Sequence, residues 1–216
     1  MNLWSKGLLE RTLSVGVVVL AAGRAERMGR RPKSLLRLDG QSLIARQLRM
    51  LQSLEVDSIV VVLGHYADVI EKEIAGFGVR CVNQTGDLHD QPSSLRLGLT
   101  ALSDDLDAYL VTPADLPLLR ASDYRAVLDA YAARSEGSRF VAPSVAGKPG
   151  NPVVFDGFIR GQILEGLGGF GSGRWRQHSS ALIEDMVTSN SRYVVDVDTE
   201  QDIAALNRDY GIELHW

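Results

Sequence analysis

The fold is decided by Val15-Gly16-Val17-Val18-Val19-Leu20-Ala21-Ala22-Gly23-Arg24-Ala25-Glu26-Arg27-Met28-Gly29-Arg30-Arg31-Pro32-Lys33. Val15 to Leu20 is an apolar run rich in β-branched residues and bounded by small ones. It reads as a strand buried on both faces, as in a parallel sheet. The strand runs into Ala21, Ala22 and Gly23, where no bulky side chain keeps a ligand from the backbone. Arg24, Arg27, Arg30, Arg31 and Lys33 follow. Backbone N–H groups in such a turn can point at phosphate oxygens, and the cations beyond it can neutralise them. A solvated basic surface loop is the competing interpretation. A buried strand feeding a dense cationic loop favours an anion there, and a nucleoside triphosphate fits. Gly23 and Gly29 are not spaced as in a Walker A loop, and no Gly-Lys-Ser/Thr follows.

A length of 216 residues with 45% hydrophobic and 23% charged content suits one α/β domain with a full core. Residues 1–14 read as an extension, and residues 15–210 as a single domain. The net charge of −4 argues against a general nucleic-acid binder, so the basic loop is a local feature. The lone cysteine, Cys81, permits no internal disulfide and reads as a core residue at a strand end. Its isolation fits a reducing cytosol, so a cytoplasmic location is expected. No apolar run reaches the length of a membrane span, and the N-terminus lacks a signal peptide's apolar core.

Further strands are expected at Ile59–Leu63, Arg80–Val82, Ala108–Val111, Phe140–Ala142, Pro152–Phe155 and Tyr193–Val195. Helices are expected from Ser42 as cap to about Glu55, at Ala67–Ala75, from Ser93 to Leu102, from Ser122 to Arg134, over 156–165 and over Trp175–Asp185. A final helix is capped by Thr199 and runs to about Tyr210. Alternation of strands and helices predicts a mostly parallel sheet in a three-layer α/β fold. In such sheets ligands bind beyond the carboxyl ends of the strands. Asp115 follows the Ala108–Val111 strand and is held between Pro113 and Pro117, a placement suited to Mg²⁺. A turn aspartate bonding its own backbone is the alternative. Ser93 and Ser94 open a helix and could meet an anion or serve as caps. Gly147 to Pro152 is a turn-rich hairpin connection. Gly166, Gly168 and Gly171 match a dinucleotide fingerprint formally, but they follow a helix rather than a strand. The four histidines, His65, His89, His178 and His215, show no ligand spacing, and no zinc site is argued.

Leu20-Ala21-Ala22-Gly23, Arg27-Met28-Gly29 and Lys33 resemble the nucleotide signature of the MobA-like nucleotidyltransferases: L-A-[AG]-G, a short spacer, R-M-G, then Lys. Asp115-Leu116-Pro117 matches the family's xDxP. Val195 to Asp202 resembles its late D-I-D-T-P-E-D-L segment, with Glu200 in place of the proline. Ser93 to Leu99 resembles the S-S-L-R-x-G-L run of the cytidylyltransferase branch, although Asp90-Gln91-Pro92 departs from the usual G-M-S before it. Gly147 to Pro152 resembles the turn that faces the acceptor, with Asn151 replacing the usual histidine. At the glycine cluster Gly169 and Gly173 replace an aspartate and an arginine, with Arg174 and Arg176 nearby.

The resemblance implies a Rossmann-like, GT-A-like fold with a mostly parallel mixed sheet. Residues 15–120 would form the nucleotide-binding half and residues 121–210 the acceptor-binding half. It implies transfer of CMP, less favourably GMP, from a triphosphate to a phosphate acceptor, foremost molybdopterin, with Mg²⁺ as cofactor. Lys33 and Arg27 would act on the phosphates. Leu20, Ala21, Ala22, Gly23, Arg24, Gly29, Ser93 and Ser94 would bind the nucleotide. Asp115 and Asp198 would hold the metal, although Asp198 is equally suited to capping a helix. Gly150, Asn151 and Pro152 would meet the acceptor. A molybdoenzyme or its chaperone would be the partner, with no nucleic acid or membrane involved. Two alternatives stay open: a sugar phosphate or other small phosphate as acceptor, and recruitment of the fold as an NAD(P)H-dependent reductase or a non-catalytic nucleotide-binding protein.

Overall fold

A computed structural model of the chain describes residues 13–84, 90–166 and 173–216. In chain order its elements are β1 (Val15–Ala21), β2 (Arg37–Leu38), β3 (Gln41–Ser42), α1 (Leu43–Gln52), β4 (Ser58–Leu63), α2 (Ala67–Ile74), β5 (Arg80–Asn83) and α3 (Gln91–Thr100). There follow β6 (Ala108–Pro113), α4 (Ala121–Ala132), β7 (Phe140–Val145), β8 (Lys148–Pro149), β9 (Val153–Phe155) and α5 (Gly157–Leu164). The chain closes with α6 (Gly173–His178), β10 (Ile183–Val187), α7 (Glu200–Tyr210) and β11 (Leu214–His215).

The main sheet has the order β10-β7-β9-β6-β1-β4-β5, with β8 paired to β7. β6, β1, β4 and β5 run parallel, and β9 is antiparallel to both β6 and β7. From β1 the chain builds outward through β4 and β5, then returns to place β6 on the other side of β1. That reversal leaves a crevice at the carboxyl ends of β1 and β6, the place where open α/β sheets bind ligands.

The alternating valines of β1 divide the core. Val15, Val17 and Val19 pack in one cluster with Ile44, Leu48 and Leu51 of α1, Ile70 and Ile74 of α2, and Tyr124, Val127 and Tyr131 of α4. Val18 lies in the opposite cluster with Leu95 and Leu99 of α3, Ile159 and Ile163 of α5, and Trp175 of α6. A Cβ at Gly98 would come within 2.5 Å of Val18 and 2.8 Å of Val62, so the missing side chain lets α3 lie on the sheet. This is the expected three-layer Rossmann-like α/β architecture. A third cluster joins Met28, Leu36, Leu38, Leu43, Val197, Leu206 and Leu214 under a small antiparallel sheet, β11-β2-β3. Among the described residues no helix is long and apolar enough to cross a membrane.

Several local expectations need correction. The segment expected as a helix over Trp175–Asp185 is α6, a 3-10 turn and the edge strand β10, which pairs in parallel with β7. Tyr193–Val195 is not a strand; Ser191–Val194 forms a 3-10 turn. Asp90 caps α3 by accepting from the Ser93 amide, so Ser93 and Ser94 lie within the helix. The chain enters α4 before Ser122: Arg120 is the N-cap, and its amide donates to Asp123. Cys81 sits on β5 and is half-buried against the core. Residues 1–12 of the expected extension, Asp87, His89 and Gly168 to Gly171 lie outside the described residues.

Asp123 is the main polar anchor inside this core. It is 3% exposed and accepts from the Arg120 amide, from Arg192 at 2.8 and 2.6 Å, and from Asn190 at 2.9 Å. Burial opposes its charge, but the Arg192 and backbone hydrogen bonds outweigh burial and hold the carboxyl below its ordinary range. Such a group stabilises the fold fully above the unfolded carboxylate range, and the benefit is lost as pH falls through the lowered pKa. Asp123→Asn is expected to cost about 2–4 kcal/mol in urea unfolding at pH 7. The gap to wild type should narrow below about pH 4. A gap that stays constant into acid would contradict this role.

Candidate functional site

Small residues open the crevice. Leu20, Ala21, Ala22 and Gly23 line a cleft of about 280 Å³ together with Ala25, Lys33, Ser94 and Asp115. Gly64, the residue after β4, presses against the same turn: a Cβ there would meet the Ala22 carbonyl oxygen at 2.6 Å. The Ala114 amide donates to the Leu20 carbonyl at 3.0 Å, which joins the loop after β6 to the end of β1. Below it, buried Gln47 donates to the Pro113 carbonyl at 2.8 Å and to the Tyr124 hydroxyl at 2.7 Å. Asp115 therefore leaves β6 from a fixed point.

The charged groups converge from three distant parts of the chain. Lys33 Nζ donates to Asp115 Oδ2 at 2.6 Å and to Asp198 Oδ1 at 2.8 Å. Arg27 Nη2 donates to the other oxygen of Asp198 at 2.7 Å. Packing underneath explains the convergence. Met28 and Val197 are both fully buried in the third cluster, so the residues beside them, Arg27 and Asp198, meet at its rim. The Val197 amide donates to the Asp115 carbonyl at 3.2 Å. Asp202 fixes the turn by accepting from the Asp198 and Thr199 amides, while the Thr199 hydroxyl caps α7.

Charge coupling follows the contacts. Burial works against the Lys33 ammonium, but Asp115 and then Asp198 overcome it and raise its pKa. The hydrogen bond from Lys33 holds the Asp198 carboxyl below its ordinary range. Asp196, two residues earlier, is pushed upward by burial and by the neighbouring Asp115 and Asp198 carboxylates. Nothing local to Asp196 singles it out, because its company is set by the Met28–Val197 packing.

A second cleft of about 490 Å³ adjoins the first, sharing Leu20, Gln91 and Pro113 with it. Its wall is apolar, with Phe140, Trp175, Pro149, Val111 and Val153, and Gly150, Asn151 and Arg176 supply polar groups. Phe140 and Trp175 meet edge to face at 5.3 Å. The Gly150 amide donates to the Pro143 carbonyl at 2.8 Å, and the Asn151 amide to Tyr193 at 2.9 Å. A Cβ at Gly150 would strike the Tyr193 carbonyl at 2.6 Å, so this close turn requires glycine.

Not every expected residue gathers here. Leu20, Ala21, Ala22, Gly23, Lys33, Ser94 and Asp115 line the first cleft; Gly150 and Asn151 line the second. Asp198 joins through Lys33, and Arg27 joins through Asp198. Ser94 donates to Gln84 Oε1 at 2.8 Å, whereas the Ser93 hydroxyl accepts from Arg96 and lines neither cleft. Gly29 ends the Glu26–Met28 turn with φ 62, and Pro152 is buried behind Asn151. Arg24 lines a separate cleft beside the loop.

The family model for the MobA-like NTP transferase domain matches residues 17–183, from β1 to the start of β10. The chain belongs to this family. Among curated relatives, the bifunctional protein GlmU of Mycobacterium ulcerans is 37% identical over 128 residues, covering 55% of this chain and 26% of the relative. The chain spans about a quarter of the length of the curated relatives it matches first. Among solved structures, Rv0371c of Mycobacterium tuberculosis H37Rv superposes with a TM-score of 0.76 at 24% identity, covering 91% of this chain and 98% of that one. A nucleotidyl transferase from Methanothermobacter gives 0.72 at 23% identity, covering 91% and 97%. Both of these likenesses concern the fold. The MobA-like signature thus maps onto the turn after β1 and the buried Met28.

Lys33→Met removes the cation that Asp198 leans on. The Asp198 carboxyl is expected to titrate at higher pH in this variant, as read by carbonyl NMR. An unchanged Asp198 titration would show that Lys33 does not govern it.

Proposed function

We propose that the chain transfers a nucleoside monophosphate, CMP in first place, from its triphosphate to a phosphate-bearing acceptor, molybdopterin in first place, with release of pyrophosphate. The observation that carries this is Lys33, one ammonium held by two carboxylates at the mouth of a small-residue turn. Asp115 and Asp198 both reach a single nitrogen, so they already converge on a cation. Among the described residues no group of three or more His, Cys, Asp or Glu could hold a metal by itself. Two carboxylates completed by phosphate oxygens and water is the manner in which Mg²⁺ is usually held. The residues therefore fit Mg²⁺, with Asp115 and Asp198 as its holders. Bound there, the ion would neutralise phosphate charge.

The chain's own groups do the rest. The backbone at Ala21, Ala22 and Gly23 receives the phosphates closely. Lys33 exchanges its carboxylate partners for phosphate oxygens, and with Arg27 it stabilises charge as the acceptor phosphate oxygen bonds to the α-phosphorus and pyrophosphate departs. This is catalysis by positioning and electrostatics. The apolar second cleft supports a flat ring-bearing acceptor over a sugar phosphate, whose hydroxyls would lose their hydrogen bonds against Phe140 and Trp175. The Leu20-Ala21-Ala22-Gly23 form of the signature supports CTP. Delivery of the product to a molybdoenzyme or its chaperone, in the cytoplasm, belongs to the same proposal.

The test is pyrophosphate release from each of the four nucleoside triphosphates with Mg²⁺, with and without molybdopterin. Release from CTP only when molybdopterin is present is expected. Asp115→Ala should lower it by at least about 100-fold, the scale of losing a central electrostatic group. Silence with every triphosphate, or consumption of NAD(P)H instead, would overturn the proposal.

A further inference from the structure

A third cleft, of about 350 Å³, lies beside the loop and is lined by Arg24, Glu26, Arg30, His65 and Tyr66. Gly23 and Ala25 line the nucleotide cleft, whereas Arg24 and Glu26 line this one. The loop backbone thus presents alternate residues to two different clefts. Its conformation is specific. Ala25, Gly29 and Arg30 have φ of 49, 62 and 61, and the Ala25 carbonyl accepts from the Met28 amide at 2.9 Å and the Arg30 amide at 3.2 Å. This curl carries Arg30 back toward Arg24. The Tyr66 hydroxyl donates to the Arg24 carbonyl at 3.1 Å, and the His65 ring packs edge-on against Tyr66.

The arginines of this cleft differ from others in the chain. Arg27, Arg37, Arg46, Arg139, Arg176 and Arg192 each pair with a carboxylate. Arg31 stacks on Trp216. Arg24 and Arg30 find no hydrogen-bond or ion-pair partner for their guanidinium groups among the described residues. Two arginines lining one cleft against the single carboxylate of Glu26 leave an excess of positive charge, with an imidazole and a phenol beside it. Guanidinium groups match phosphate oxygens in geometry as well as charge.

We propose that this cleft is a second anion site of the chain, receiving phosphate oxygens on the face of the loop opposite the nucleotide cleft. Two sources share that chemistry: free pyrophosphate or phosphate, and the terminal phosphates of a nucleotide reaching over the loop. Occupancy would also tighten the curl that ends in Met28, and so fix Arg27 beside Asp198. The second of these sources rests on the nucleotide reading above, the first does not, and both can be tested without turnover.

The experiment is calorimetric titration of pyrophosphate, CTP and CMP into wild-type chain and into Arg30→Gln, His65→Gln and Arg208→Gln. The last variant removes an equal charge elsewhere. Loss of one charge-assisted hydrogen bond is expected to weaken pyrophosphate roughly tenfold in Arg30→Gln. His65→Gln should weaken it less, and Arg208→Gln should leave it unchanged. Pyrophosphate that still binds to CTP-saturated chain identifies a free anion as the occupant. Pyrophosphate expelled by CTP, with Arg30→Gln weakening CTP but not CMP, identifies the nucleotide's own terminal phosphates. Affinities for pyrophosphate and CTP that match wild type in both Arg30→Gln and His65→Gln, or that fall equally in Arg208→Gln, would overturn the proposal.

Discussion

Lys33 holds Asp115 and Asp198 together, and the rest of the molecule can be understood as the means of bringing those three residues to one place. Asp115 comes from the end of β6 and Lys33 from the loop after β1. Asp198 arrives from near the C-terminus, 165 residues beyond Lys33. Two carboxylates that converge without a cation would repel, and burial would add to the cost. The ammonium removes that repulsion, and against the opposing effect of burial the two carboxylates hold its pKa above the ordinary value. The same arrangement is suited to exchange: a site already built around positive charge can accept another cation when the lysine turns to an incoming anion.

What fixes the triangle is apolar. Met28 and Val197 are fully buried together with Leu36 and Leu214, and this cluster is separate from both faces of the main sheet. It clamps the loop after β1 to the segment before α7. A second fastening runs through Asp123, Arg192 and Asn190 to the 3-10 turn at Ser191–Val194, and from Tyr193 to the Asn151 amide. The stretch 190–198 therefore holds the Gly150–Asn151 turn of the apolar cleft through Tyr193 and carries the Asp198 carboxylate. A disturbance at Asp123 would be felt in both clefts.

The sequence made β1, its small-residue turn and the carboxylate after β6 legible, because each depends on local chemistry: β-branched burial, absence of side chains, and prolines around Asp115. It concealed what depends on partners. β10 reads Ile183-Glu184-Asp185-Met186-Val187, too polar for a buried strand, and it is an edge strand whose polar side chains reach Ser135 and Arg176. Tyr193 has a strand-forming side chain, yet the turn is set by Asn190 capping and the Asp123 clamp. β2, β3 and β11 have two residues each, too few to show a period. Asp90 as the α3 cap was available from Asp90-Gln91-Pro92, since proline favours the first turn of a helix. Met28 was visible as part of a motif, but its purpose as the buried anchor of Arg27 was not.

The most direct measurement is a crystal structure of the chain with Mg²⁺ and CTP. In it Lys33 Nζ should have left both carboxylates for a phosphate oxygen, Asp115 and Asp198 should face the metal, and the phosphates should lie against Ala21 to Gly23. A nucleotide bound elsewhere, with Lys33 still bonded to Asp115 and Asp198, would contradict the proposal.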